Sequence, residues 1–209
     1  MIKDVLKALL SDEEREIPFE TQLQTLKEAG ISPNADVTEE VISNELEKMG
    51  FTLKDTETDP SLLLVLLGSS REVSDGELVE YESNSSDVLF FDTTCVQESG
   101  IYTEVLESLI TMAKGELQFT NIEEFLDLEN FDAHISFVFK EEDYKLELKV
   151  VEDNFDMTLL TKLNNILDTK HCEKLFCIQC NEETVTIIFS DKETVKNLNR
   201  NLDLGFELA

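Results

Sequence analysis

The chain holds 209 residues, with 46 Asp and Glu against 17 Lys and Arg, so its formal charge is −29, and 41% of it is hydrophobic. That length suits one large domain or two small ones with a real core, and the apolar residues recur in periodic segments, which argues against wholesale disorder. Negative charge is spread along the whole chain; it repels polyanions and anionic lipid, so free nucleic acid and membrane surfaces are poor partners and a basic protein surface is the natural complement.

Ile2, Val5, Leu6, Leu9 and Leu10 trace the stripe of a short amphipathic helix. Lys3, Asp4 and Lys7 interrupt it too often for a signal peptide. The longest aliphatic run, Leu62 to Leu67, falls far short of the roughly 20 residues needed to cross a bilayer. A cytoplasmic setting with Cys95, Cys172, Cys177 and Cys180 reduced is therefore expected. Pro18 precedes a second helix bearing Phe19, Leu23 and Leu26, which Gly30 stops. Asp36, with Glu39 three residues on, predicts the cap of a third helix carrying Ile42, Leu46 and Met49. The unbroken run Leu62 to Leu67, between Pro60 and Gly68, predicts a strand buried on both faces. Residues 71 to 87 are acidic and Ser-rich and read as a loop or mobile edge hairpin. They form a weak linker between a helical N-terminal region, 1–70, that ends in the buried strand, and an α+β domain, 88–209.

In that domain Val88 to Phe91 reads as a strand, and Tyr102, Val105, Leu106, Leu109, Ile110 and Ala113 give a clean helical stripe. After a short strand at Leu117 to Phe119, Asn121 caps an expected helix with Ile122, Phe125 and Leu126. Ala133, Ile135, Phe137 and Phe139 alternate, Glu141-Glu142-Asp143 turns, and Tyr144, Leu146, Leu148 and Val150 alternate back as an antiparallel hairpin. Asp156 caps a helix bearing Leu160, Leu163, Ile166 and Leu167. A second hairpin follows, from Leu175 to Cys180 and from Val185 to Phe189, and Ser190 with Glu193 starts the last helix. The fold class is α+β: helices on one face of a mainly antiparallel sheet built from hairpin-helix units, the other face free to stay wet.

Chemistry-bearing patterns are sparse. The chain has no P-loop, no Gly-rich dinucleotide fingerprint and no G-x-S-x-G elbow. His134 alternates with apolar neighbours and belongs on the wetter face of its strand. His171, Cys172, Cys177 and Cys180 are close in sequence, but an offset of three in a strand sends Cys177 and Cys180 to opposite faces, so thiols packed as small hydrophobes are expected. Asp55, Glu57 and Asp59 have the spacing that opens a calcium loop, yet Pro60 and Leu66 stand where Gly and Glu are required. No catalytic residue, metal or cofactor is expected.

Asp132 followed by Glu147-Leu148-Lys149 resembles the D…(D/E)-x-K pattern of the PD-(D/E)xK nucleases. That resemblance, over roughly residues 100 to 180, implies two carboxylates on Mg²⁺ and a lysine assisting the attacking water. Phe131 replaces the family's proline, and between residues 120 and 156 the chain carries 12 carboxylates against three lysines and no arginine, which repels a polyanion.

The same carboxylates suit a binding face. Glu123, Glu124, Asp127, Glu129, Asp132, Glu141, Glu142, Asp143, Glu152, Asp153 and Asp156 cluster around the first hairpin, where an acidic surface steers basic partners. The expectation is a non-enzymatic protein-binding module, an inhibitor of the immunity-protein or antitoxin kind that neutralises a basic effector such as a toxin. The alternatives are the metal-dependent nuclease and an adaptor or sensing domain whose charge is incidental.

Overall fold

The computed structural model describes residues 15–75, 78–97, 99–151, 153–181 and 183–209. The helix expected over Ile2 to Leu10 and the carboxylate of Glu152 lie outside them. The fold is α+β, with helices packed on antiparallel sheets. Among the described residues no helix is long and apolar enough to cross a membrane.

The N-terminal region is helical: α1 (Phe19–Glu28), α2 (Glu39–Lys48), α3 (Leu53–Thr58) and α4 (Ser61–Gly68). Helix α4 corrects the strand expected at Leu62 to Leu67. A run apolar at every position has no periodicity to distinguish strand from helix, leucine is a strong helix former, and the Asp59 carboxylate accepts the Ser61 N–H at 3.1 Å at the helix start. Leu63, Leu64, Leu66 and Leu67 are fully buried. Gly68 ends α4 hard against a strand: a Cβ there would lie 2.7 Å from that of Phe90. The cap of α2 is Thr38, whose hydroxyl accepts the Val41 N–H at 3.3 Å, instead of Asp36; the Asp36 carboxylate is bonded to Arg71.

Residues 70–83 form a hairpin of β1 (Ser70–Asp75) and β2 (Leu78–Ser83). Its base is anchored. Buried Arg71 binds Asp36, Glu82 at 3.0 Å and Asn84 at 3.2 Å, and Asn84 donates to the Leu66 carbonyl at 2.9 Å. Beyond it lie β3 (Val88–Asp92), α5 (Ile101–Met112), β4 (Phe119–Asp127), β5 (Asp132–Phe139), β6 (Glu142–Lys149), α6 (Thr158–Thr169), β7 (Leu175–Asn181), β8 (Thr184–Ser190), α7 (Lys192–Leu202) and β9 (Glu207–Leu208). Two hairpin-then-helix units, β5-β6-α6 and β7-β8-α7, are present as the alternation predicts.

Strand β4 replaces the helix expected at Ile122 to Leu126. The register slips between Thr120 and Glu123, with Asn121 at φ 52°; past the slip Ile122, Glu124 and Leu126 alternate inward, and because a carboxylate takes an inward place while Phe125 faces outward, Ile122, Phe125 and Leu126 fall at spacings that imitate a helix. The β5–β6 turn is Lys140-Glu141, both at positive φ, one residue earlier than expected. Helix α7 is capped by Asp191, whose carboxylate accepts the N–H groups of Glu193 and Thr194 at 2.9 and 3.0 Å, instead of by Ser190.

Two apolar clusters organise these elements. The sheet ordered β3-β8-β7-β9 lies between them. Val185 and Ile187 of β8 face one cluster, shared with α5, α6 and the inner face of β4-β5-β6. Ile188 of β8, Val88 and Cys177 face the other, where Leu26, Ile42, Leu63 and Leu67 meet Leu198, Leu202 and Phe206. Apolar residues from both sides of the hairpin at 70–83 thus share the second cluster. Of the two larger sheets the three-stranded one has a wet face: its inward residues Ala133, Ile135, Phe137 and Phe139 are 0–2% exposed, while its other face meets solvent.

Candidate binding face

Registry defines which side chains share the outward face of β4-β5-β6. Directly paired residues of antiparallel strands lie on the same side of a sheet, so the rows Asp127–Asp132–Lys149, Phe125–His134–Glu147 and Glu123–Ser136–Lys145 all look outward. Asp143, opposite Val138, continues that face toward the Lys140-Glu141 turn.

The carboxylates expected to bind a partner separate into two groups. Glu123, Glu129, Asp132, Glu141, Asp143 and Asp153 are exposed, and their side chains have no hydrogen bond or ion pair among the described residues. Glu124 is different. One residue along from Glu123, it points inward, and its carboxylate accepts the N–H groups of Gly100 and Thr103 at 2.8 and 2.9 Å and the Thr103 hydroxyl at 3.1 Å. Helix α5 begins at Gly100, which has no side chain to cap it, so Glu124 supplies from β4 the anion that a helix N-terminus favours.

Asp127 folds onto its own turn, accepting the N–H groups of Glu129 and Asn130 at 3.1 Å and the Asn130 amide at 2.7 Å. The Asn130 bonds hold its carboxyl below the usual range. Glu142 is bound by Lys170 at 2.6 Å and by the Tyr144 hydroxyl at 2.8 Å, and Lys170 is the main reason its pKa is lowered. Asp156 accepts the Lys149 N–H at 2.8 Å and the Thr158 N–H at 3.0 Å, bracing β6 against the start of α6. Glu124 and Asp156 therefore serve the fold, and the free charge concentrates on the outward face and its two ends.

Apolar groups accompany that charge at one end, where sequence patterning gave no notice of them. Phe125 is 44% exposed and stacks on His134 with ring centroids 4.9 Å apart. Leu128 and Phe131 lie in the β4–β5 loop at 40% and 59% exposure, and Val151, just past β6, at 64%. Phe131 has φ 56°, a left-handed conformation that an aromatic residue rarely adopts. The visible signal was Phe125 itself: once β4 is recognised as a strand, an aromatic between Glu123 and Asp127 must share their solvent face.

Asp132, Glu147 and Lys149 also lie on this face. Lys145 binds Glu147 at 2.7 Å and lowers its pKa. With Asp156, Thr158 and Lys162 these residues line an open hollow of about 750 Å³ between β6 and α6, in which three lysines offset three carboxylates. Among the described residues no three His, Cys, Asp or Glu side chains converge on a point that could hold a metal ion. Cys177 is buried, its thiol pushed up to about 11 by burial, and Cys180 is exposed, the opposite facing that strand geometry requires; Cys177 packs as a small hydrophobe and Cys180, near the end of its strand, does not. Asp55 closes a capping box with Thr52, Glu57 binds Lys54 at 2.7 Å, and Asp59 starts α4.

Compared with protein-family models, with curated proteins and with solved structures, the chain matches none.

Proposed function

We propose that this chain is an acidic, non-enzymatic protein-binding module that neutralises a basic effector in the manner of an immunity protein or antitoxin, using the outward face of β4-β5-β6 and the loop at 128–131. One observation carries the reading: carboxylates left unpaired by the fold, Glu123, Glu129, Asp132 and Asp153, stand beside exposed Phe125, Leu128, Phe131 and Val151. Unpaired anions steer a cationic partner and set its orientation. Aromatic and aliphatic anchors then supply the desolvated contacts that hold it. Charge that served solubility alone would not need four large apolar residues in its midst.

The test is capture by the immobilised chain from an extract of its source cell, with increasing salt. A basic protein retained at low salt and released as screening rises supports the reading. Glu129→Lys with Asp132→Lys lowers retention by about tenfold or more, because both steering and complementarity are reversed, while Glu40→Lys on exposed α2 does not. An acidic captured protein, or equal retention by both variants, overturns it. The nuclease reading requires Glu147 to leave Lys145 for a metal. Cleavage of DNA or RNA with Mg²⁺ or Mn²⁺ that disappears in Glu147→Ala would replace the binding reading with that one.

A further inference from the structure

Strand edges are where a sheet accepts another chain, and native proteins ordinarily protect them. In the two larger sheets the edges other than β6 are short, covered or broken. Strand β9 pairs with β7 at Cys177 and Ile178, α4 abuts β3 at Gly68 and Phe90, and β4 is broken by the bulge at Asn121. Strand β6 is a terminal strand, eight residues long, with no bulge in its pairing to β5.

The hairpin fixes which of its backbone groups are available. The two-residue turn is closed by the pair Phe139–Glu142, a hydrogen-bonded pair in such a hairpin. Alternation then directs the N–H and C=O groups of Glu142, Tyr144, Leu146 and Leu148 to β5, and those of Asp143, Lys145, Glu147 and Lys149 away from it. Two side chains confirm this phase independently: Asp156 accepts the Lys149 N–H at 2.8 Å, and the Lys162 ammonium donates to the Glu147 carbonyl. Lys145 has both of its outward backbone groups unbonded among the described residues.

The side chains along this edge have a self-complementary order. Reading Asp143, Lys145, Glu147, Lys149 against its own reverse, about Leu146, sets Lys145 opposite Glu147 and Asp143 opposite Lys149 throughout. From these two features we infer that β6 pairs antiparallel with β6 of a second copy of this chain about a two-fold axis at Leu146, joining the three-stranded sheets of both copies into one. An isologous contact demands this kind of self-complementarity. The backbone phase permits the register: with Leu146 facing its own copy as a non-hydrogen-bonded pair, Lys145 and Glu147 of the opposite strand exchange N–H···O=C bonds on both sides of the axis. Lys162 yields the Glu147 carbonyl to the partner's Lys145 N–H, whereas Asp156 keeps the Lys149 N–H and its place at the start of α6. Opposite charges lie on the same sheet face in every pair, so a pair of chains each carrying −29 meets at a strip where lysines equal carboxylates.

Sedimentation velocity across a concentration series reads the outcome. The mass rises from 23.8 kDa toward twice that value with concentration; a single-chain mass at every concentration overturns the inference. Lys145→Glu and Glu147→Lys, each placing like charges opposite one another in two symmetry-related pairs, weaken association by about tenfold, and the double variant, which restores opposite charges, recovers it. A double variant no tighter than the single ones overturns the inference. Lys145→Pro removes an outward N–H that β5 does not use and abolishes the dimer. Should that variant not fold, as judged by circular dichroism, the exposed charge exchanges decide the question alone. The Glu129→Lys and Asp132→Lys pair leaves dimerisation intact, so failure of the dimer and failure of the binding face are separately visible.

Discussion

The two larger sheets use the same antiparallel hairpins for opposite purposes. In β3-β8-β7-β9 both faces are covered, and β8 accordingly reads Thr-Val-Thr-Ile-Ile-Phe-Ser, with Val185 to Ile188 all buried. In β4-β5-β6 one face is covered, and β5 reads Asp-Ala-His-Ile-Ser-Phe-Val-Phe, buried at alternate positions. Solvation decides where charge can reside: a carboxylate without a partner is tolerated only on the face that keeps its water. The largest expected effect tests this contrast. Phe176→Ala, at a fully buried β7 position, lowers unfolding free energy by about 3–5 kcal/mol, whereas Phe125→Ala on the outward face changes it by under about 1 kcal/mol. Comparable losses in chemical denaturation would show that the outward face is packed after all.

The contrast is sharpest between two adjacent residues. Glu123 and Glu124 are chemically identical, yet only Glu124 caps α5. Glu124→Ala leaves the N–H groups of Gly100 and Thr103 without their acceptor and costs about 1–2 kcal/mol, while Glu123→Ala stays within about 0.5 kcal/mol. Partner capture should reverse the order, with Glu123→Ala the more damaging per unit of stability lost. Thermal melts of the two variants, run beside retention measurements, check both halves.

This pair also shows how far the sequence could be read. The hairpins at 132–149 and 175–190, the helix over 101–112 and the acidity around the first hairpin follow from local periodicity, and these were legible. The helix at Leu62 to Leu67 was not, because six consecutive aliphatic residues carry no period and only tertiary burial selects their conformation. Strand β4 was concealed because the carboxylate of Glu124 takes an inward position and the aromatic Phe125 an outward one, which inverts the expected alternation. The division of the carboxylates was concealed for a third reason: Glu124 acts on a helix more than twenty residues earlier in the chain, a long-range bond that no local spacing encodes. The exposed apolar group at Phe131 and Val151 has no signature in the sequence, because single exposed apolar residues are ordinary; proximity to others gives them meaning, and proximity is a property of the fold.

Acid gives a further comparison, between a carboxylate bound to the backbone and those left free. Asp191 caps α7, and the N–H of Thr194 is the first cause of its lowered pKa. A group with a depressed folded-state pKa stabilises at pH above its unfolded value, near 3.8, and that contribution disappears as pH falls through the folded value. Asp191→Ala should therefore cost about 1 kcal/mol near neutral pH, with wild type and variant converging as pH falls below the normal aspartate range. Asp132→Ala, which removes a side chain with no hydrogen bond or ion pair among the described residues, should stay within about 0.5 kcal/mol near neutral pH. A constant gap for Asp191→Ala down to low pH would mean that the side chain acts by packing instead of by its charge.

The smallest effect bears most directly on why the exposed aromatic persists. Phe131 holds a left-handed backbone at φ 56° while leaving 59% of its surface in water, a conformation disfavoured for any residue with a Cβ and little rewarded here by burial. Phe131→Gly removes the conformational cost along with the ring, so it should raise unfolding free energy by up to about 1 kcal/mol, partly offset by the added freedom of the unfolded chain. Phe131→Ala keeps the strain and loses the ring, so it should gain nothing in stability. Both should weaken partner capture to a similar degree, because both remove the anchor. If Gly and Ala retain the partner as wild type does, the ring is not an anchor. If Gly alone impairs capture, the loop's fixed backbone, and not the aromatic surface, is what the partner recognises.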